Sequence, residues 1–253
     1  MSDDRLLETL ADGVLTLTLN RPDKRNAIDM ATVEALHAAL DRAELDAAVR
    51  VVAVRGAGTD FCAGADLAEL LASADRPAEE NRAQAQRLGD VFIRMRELPK
   101  PIVAVIHGRA LAGGCGLATA CDLVLARADA QLGYPEVRRG FVPAMVMAML
   151  RRAVGEKAAF DLAATGRILS AEEARALGLV SRVLAPETFA SDVAHVTAAL
   201  AAQSPTALAL IKRLLYELDG RSFADGIRLG ADVNALARAT PDFRAAVQAF
   251  LNR

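Results

Sequence analysis

The 253-residue chain has no tryptophan, two tyrosines, three histidines and three cysteines, and each shortage removes a class of function. Aromatics at 4% leave few platforms for stacking nucleobases, and a formal net charge of −2 without a lysine or arginine block gives a phosphate backbone little to hold. Nucleic acid is therefore a poor partner. Cys62, Cys115 and Cys121 form neither a C-x-x-C pair nor an even framework, which fits free thiols in a reducing cytoplasm and leaves no zinc-ligand spacing. No G-x-S-x-G elbow occurs, which sets aside the serine hydrolases. Although 53% of residues are hydrophobic, enough for a substantial core, no uninterrupted run approaches the roughly 18 residues of a membrane span. Met1 to Arg5 is polar and leads into no apolar segment, so no secretory signal is expected.

What is present is glycine in two telling places. Gly108 to Leu117 follows the apolar run Ile102 to Ile106 and precedes the small-residue segment Ala118 to Cys121, a pattern of strand, tight loop and helix start. Such a junction exposes backbone N–H groups that have no partner within the helix, and glycine lets a ligand oxygen come close to them. A dinucleotide fingerprint is ruled out, because Gly114-Cys115-Gly116-Leu117-Ala118-Thr119 ends in threonine where glycine or alanine belongs. Upstream, Phe61-Cys62-Ala63-Gly64-Ala65-Asp66-Leu67 also follows an apolar run and opens a helix. Two such loops can converge on one oxygen.

In chain order, Leu6 to Leu10 and Val14 to Leu19 read as a hairpin, and Val33, Leu36 and Leu40 as the buried face of a helix capped by Asp29. His37 falls on that helix's polar face. Strands at Val51 and Ile102, about 50 residues apart, each lead into a glycine loop and a helix, which predicts repeated ββα units. Between them, Ser73 to Arg82 reads as a polar excursion and Gln84 to Glu97 as a helix. Phe141 to Val154, apolar nearly all round, predicts a buried helix. From Pro186 the pattern is helical, with apolar stripes such as Leu208, Ile211, Leu214, Leu215 and Leu218 that need covering by the core or by another subunit.

Asn26-Ala27, Phe61 to Leu67, His107 to Leu117, Cys121-Asp122 and Gly133-Tyr134-Pro135-Glu136, in this order and spacing, resemble the crotonase superfamily, the enoyl-CoA hydratase/isomerase family. The resemblance implies an α/β fold, a crotonase-like spiral of ββα repeats over residues 1–195, followed by a C-terminal helical trimerisation region over 196–253. It implies an acyl-CoA thioester as substrate and a homotrimer or dimer of trimers as assembly. No tightly bound cofactor is implied, coenzyme A being part of the substrate. The backbone N–H groups of Ala65 and Gly113 would form the oxyanion hole; Ala63, Asp66 and Leu67 would lie along the CoA, with Arg25 and Ala27 as further contacts. Arg25 reads equally as a solvated loop charge, and Asp66 as a helix cap.

Hydratases of the family generally use two glutamates, one just after the glycine loop and one in the later Pro-Glu segment. Here the first position is Gly116 and only Glu136 remains. That pattern suits the family's single-carboxylate isomerases better, with Glu136 as the catalytic base. Two other functions stay open: a hydratase working through Glu136 alone, and a non-catalytic acyl-CoA-binding protein. Outside the family context Glu136 would read as an exposed carboxylate pairing with Arg138 or Arg139. Cys115 reads as a buried thiol, and His107 as loop support.

Overall fold

The computed structural model describes residues 4–252. Its strands are β1 (Leu6–Ala11), β2 (Val14–Leu19), β3 (Val51–Gly56), β4 (Ile102–Ile106), β5 (Arg109–Leu111), β6 (Leu123–Arg127), β7 (Gln131–Gly133), β8 (Ile168–Ser170) and β9 (Arg182–Leu184). Its helices are α1 (Met30–Leu45), α2 (Leu67–Ala72), α3 (Ala78–Glu97), α4 (Gly113–Ala120), α5 (Met147–Val154), α6 (Glu156–Thr165), α7 (Ala171–Leu177), α8 (Phe189–Ala201), α9 (Pro205–Glu217), α10 (Phe223–Ala239) and α11 (Pro241–Leu251).

The hairpin forms as expected, its turn made by Asp12 and Gly13, both at positive φ, the geometry a two-residue turn needs to match strand twist. Beyond it the main sheet is parallel, in the order β1-β2-β3-β4-β6-β9, while β5, β7 and β8 form a second, smaller sheet. The chain alternates between the two: β4 is followed by β5, and β6 by β7. The first unit has the same course, but its second strand shrinks to one bridge, Cys62 to Ala110. This alternation stacks the two glycine loops beside each other at the small sheet.

Strands β3 and β4 are buried on both faces, which is why they read as continuous apolar runs. Val52, Val54, Ile102 and Ala104 point into the main core, where α1, α3 and α4 pack; Val51, Ala53, Val103 and Val105 point to the other face, where Val196 of α8 covers them. Helix α8 thus belongs to the sheet's covering layer, and the expected boundary after residue 195 falls inside it. Other expectations shift as well. Helix α3 begins at Ala78 because Glu79 and Glu80 favour its N-terminal turn, so the polar excursion is shorter than its composition predicts. The helix predicted over Phe141 to Val154 starts only at Met147; Pro143 removes a donor and restricts Val142, leaving Phe141 and Val142 exposed. His37 is buried, not on a polar face, with its ring nitrogen 2.9 Å from the Arg87 carbonyl of α3.

In α9 the buried side chain is not one of the striped leucines but Lys212. Its ammonium lies 2.8 Å from Asp122 Oδ2 and donates to the carbonyls of Met95 and Lys100. Asp122 also accepts from Tyr216 Oη at 2.8 Å and from the Ile102 N–H at 2.7 Å. Removing one partner of such a pair strands the other charge, so Lys212→Ala is expected to cost about 3–5 kcal/mol, read as a lower midpoint in urea unfolding.

Candidate active site

The first loop is fixed by Asn26, which is buried at positive φ. Its Nδ2 donates to the carbonyls of Ala57 and Asp60, both at 2.8 Å, and its Oδ1 accepts from the Arg21 N–H. Next to it, the Ile28 N–H donates to the Gly64 carbonyl and the Asp66 N–H donates to the Ile28 carbonyl, each at 2.8 Å. In that pairing the intervening residue, Ala65, turns its own N–H away from Ile28. Asp66 Oδ1 then caps α2 by accepting from the Ala68 N–H at 3.0 Å, while Oδ2 pairs with Arg21 at 2.9 Å. Arg21, which also donates to the Ala27 carbonyl, is a structural residue that sequence reasoning missed.

The second loop is laced to the first by the Leu111 N–H donating to the Cys62 carbonyl at 2.9 Å, and to β7 by the Ala112 N–H donating to the Gly133 carbonyl at 2.8 Å. Ala112 holds φ +51° and ψ −128°, a conformation foreign to alanine and costing on the order of 1–3 kcal/mol. That strained turn sets the direction in which α4 starts. A Cβ placed on Gly113 would lie 3.7 Å from the Ala65 nitrogen, so the two backbone N–H groups flank one small space. Neither has an acceptor among the described residues. Gly114 is required by close packing, since a Cβ there would lie 2.3 Å from the Cys62 carbonyl oxygen.

Glu136 sits in a short 3-10 turn, Pro135–Arg139, entered from β7 and closed by Gly140 at positive φ. It is 8% exposed, and its Oε2 is buried without a hydrogen-bond partner. The exposed, ion-paired carboxylate that its neighbours suggested is overturned: among the described residues it makes no ion pair with Arg138 or Arg139. Burial raises its pKa above the ordinary glutamate value, against smaller opposing effects of a backbone N–H and the charge of Arg139. The folded state therefore favours the protonated form, and ionisation costs stability as pH rises through the folded pKa. Glu136→Gln is expected to raise the melting temperature at pH 7.5, with the gain closing as pH falls toward about 4, where the unfolded glutamate also protonates.

Tyr134, buried two residues before Glu136, has its hydroxyl 2.7 Å from Thr119 Oγ1 of α4. Burial pushes the Cys115 thiol up to about 11, which suits packing and not nucleophilic attack. Position 116 is closed: a Cβ there would lie 2.1 Å from Val146 Cγ1. His107 supports a loop, its ring nitrogen 3.0 Å from the Gly58 carbonyl. Ala63 donates its N–H to the Arg25 carbonyl at 2.9 Å and Leu67 is exposed, so both line the outer course of the first loop. Arg25, joined to the first loop through that carbonyl, also lines a polar hollow of about 400 Å³ with Thr59, Asp60 and Arg109.

The enoyl-CoA hydratase crystal structure from Mycobacterium smegmatis superimposes with a TM-score of 0.94 at 34% identity, covering 99% of this chain and 97% of that one. Fold and loops together define an α/β enzyme of the crotonase superfamily. The enoyl-CoA hydratase/isomerase family profile matches residues 9–253. A putative enoyl-CoA hydratase of Thermus thermophilus is 45% identical over 240 residues, 95% of each chain. The 1,2-epoxyphenylacetyl-CoA isomerase of Escherichia coli is 32% identical, over 97% of this chain and 95% of its own. The protein belongs to the enoyl-CoA hydratase/isomerase family.

Proposed function

We propose that the enzyme moves the double bond of an enoyl-CoA, with Glu136 as its one acid–base group and the N–H groups of Ala65 and Gly113 as its oxyanion hole. The observation that carries this is the buried, unpartnered Oε2 of Glu136, together with the closure of position 116 to any second carboxylate. Glu136 takes a proton from C2 of a 3-enoyl-CoA, and the electron pair spreads onto the thioester oxygen between the two N–H groups. The C3=C4 π bond becomes C2=C3 as Glu136 returns the proton to C4. Charge develops where two preorganised donors already point, and no tightly bound cofactor is needed.

Coenzyme A would run along Ala63, Asp66 and Leu67, with Arg25 and Ala27 beside it. The apolar side chains left exposed on α9 to α11, among them Ile211, Leu215, Phe223, Ile227 and Phe250, would be covered in a homotrimer or dimer of trimers. The hydratase name of the Thermus thermophilus relative favours a second reading, hydration of a 2-enoyl-CoA through Glu136 alone.

Parallel ultraviolet assays on a 3-enoyl-CoA and a 2-enoyl-CoA separate these. Gain of conjugated-thioester absorbance from the first, lost in Glu136→Gln, is the expected result. Loss of absorbance from the second alone would select hydration, and silence on both with CoA-ester binding intact would indicate a non-catalytic binder.

A further inference from the structure

Gly116 follows Gly113 by three residues in α4 and so lies on the same helical face, one turn deeper. Thr119, a further turn along the same helix, meets the hydroxyl of Tyr134, two residues before Glu136, at 2.7 Å. The space above that face is not empty. Val146, at the start of α5 and 4% exposed, points Cγ1 and Cβ to within 2.1 and 3.0 Å of where a Cβ at 116 would stand. Side-chain volume absent at 116 is supplied from 146, and what is supplied is purely hydrocarbon.

We propose that Val146 is the specificity-determining residue that commits this site to proton return and against water addition. Hydration places the oxygen of a water on C3 and a proton on C2, and that water must be held by polar partners within hydrogen-bond reach beside C3. An isopropyl group offers none, and a space filled to van der Waals contact leaves no room for a water that needs two to four hydrogen bonds. The enolate formed by Glu136 then has one proton source, Glu136 itself. This inference rests on the proposed isomerase chemistry and adds the residue that enforces it.

The test measures, for wild type, Val146→Ala and Val146→Thr, the ratio of 2-enoyl-CoA hydration to 3-enoyl-CoA isomerisation. A ratio is insensitive to the fraction of enzyme folded. Threonine keeps the shape of valine and adds a hydroxyl; alanine opens room for water. Both are expected to raise the ratio by about tenfold or more, about 1.4 kcal/mol in relative barrier. Gly116→Glu combined with Val146→Ala is expected to raise it further, whereas Gly116→Glu alone, forced against Val146, should show a lower melting temperature and no gain in hydration. Deuterium uptake at C2 of bound substrate in heavy water, lost in Glu136→Gln, is followed alongside. Uptake with an unchanged ratio in the two Val146 variants overturns the role of Val146 alone; absence of uptake in wild type overturns the Glu136 chemistry and this inference with it.

Discussion

Glu136→Gln is expected to lower kcat by about 10²–10⁴-fold while leaving CoA-ester binding in place, because the amide keeps the shape of the carboxyl and loses the proton exchange. Steady-state assays with tight-binding controls by calorimetry read both quantities. The wild-type pH profile carries a matching signature. The base form of Glu136 is lost as pH falls through its pKa, and burial has raised that pKa, so the acidic limb of kcat/KM should lie above pH 4.5, the ordinary glutamate value. A limb at or below that value would mean that another group, or none, is the base.

Gly113→Ala is expected to separate activity from stability in the opposite sense to most glycine substitutions. Gly113 is helical, without positive φ, and an added Cβ meets nothing nearer than the Ala65 nitrogen at 3.7 Å and Gly64 Cα at 3.9 Å. The fold therefore accepts it, and replacing glycine in a helix stabilises by up to about 1 kcal/mol. The methyl group, however, stands in the space the two N–H groups flank. Displacing the thioester oxygen from even one donor should cost about 2.7–4 kcal/mol of barrier stabilisation, a loss of about 10²–10³ in kcat. A melting temperature at or above wild type with activity down by that factor is the expected pair of results; unchanged activity would remove Gly113 from the oxyanion hole.

Features written in a few consecutive residues were legible without coordinates. The N-terminal hairpin, the caps at Asp29 and Asp66 and the two glycine loops each depend on local backbone chemistry, and the structure places all of them as read. The side-chain burial of Glu136 was not legible, because arginines follow it two and three positions on and only the fold removes it from water. Partners distant in sequence were equally invisible. Arg21 pairs with Asp66 across 45 positions, and Lys212, embedded in a stripe of leucines, is drawn inward by Asp122. Val146 gave no signal of its own, since a valine within an apolar segment looks like any core residue until its distance to Gly116 is known.

Asp122, described above as the buried partner of Lys212 and Tyr216, has a bearing on how the protein is made. Its carboxylate secures the N–H of Ile102, the first residue of the strand leading to the glycine loop, yet both its counter-charge and its phenol donor are synthesised some 90 residues later. A nascent chain halted before α9 would hold that carboxylate at the edge of a half-built core with nothing to neutralise it, and water would be drawn to it. A chain cut short before α9 therefore lacks both of the groups that hold Asp122, and with them the charge partner of the residue that secures the start of β4. The C-terminal helices thus do more than present exposed apolar side chains: through Lys212 and Tyr216 of α9 they anchor the strand that runs into the second glycine loop.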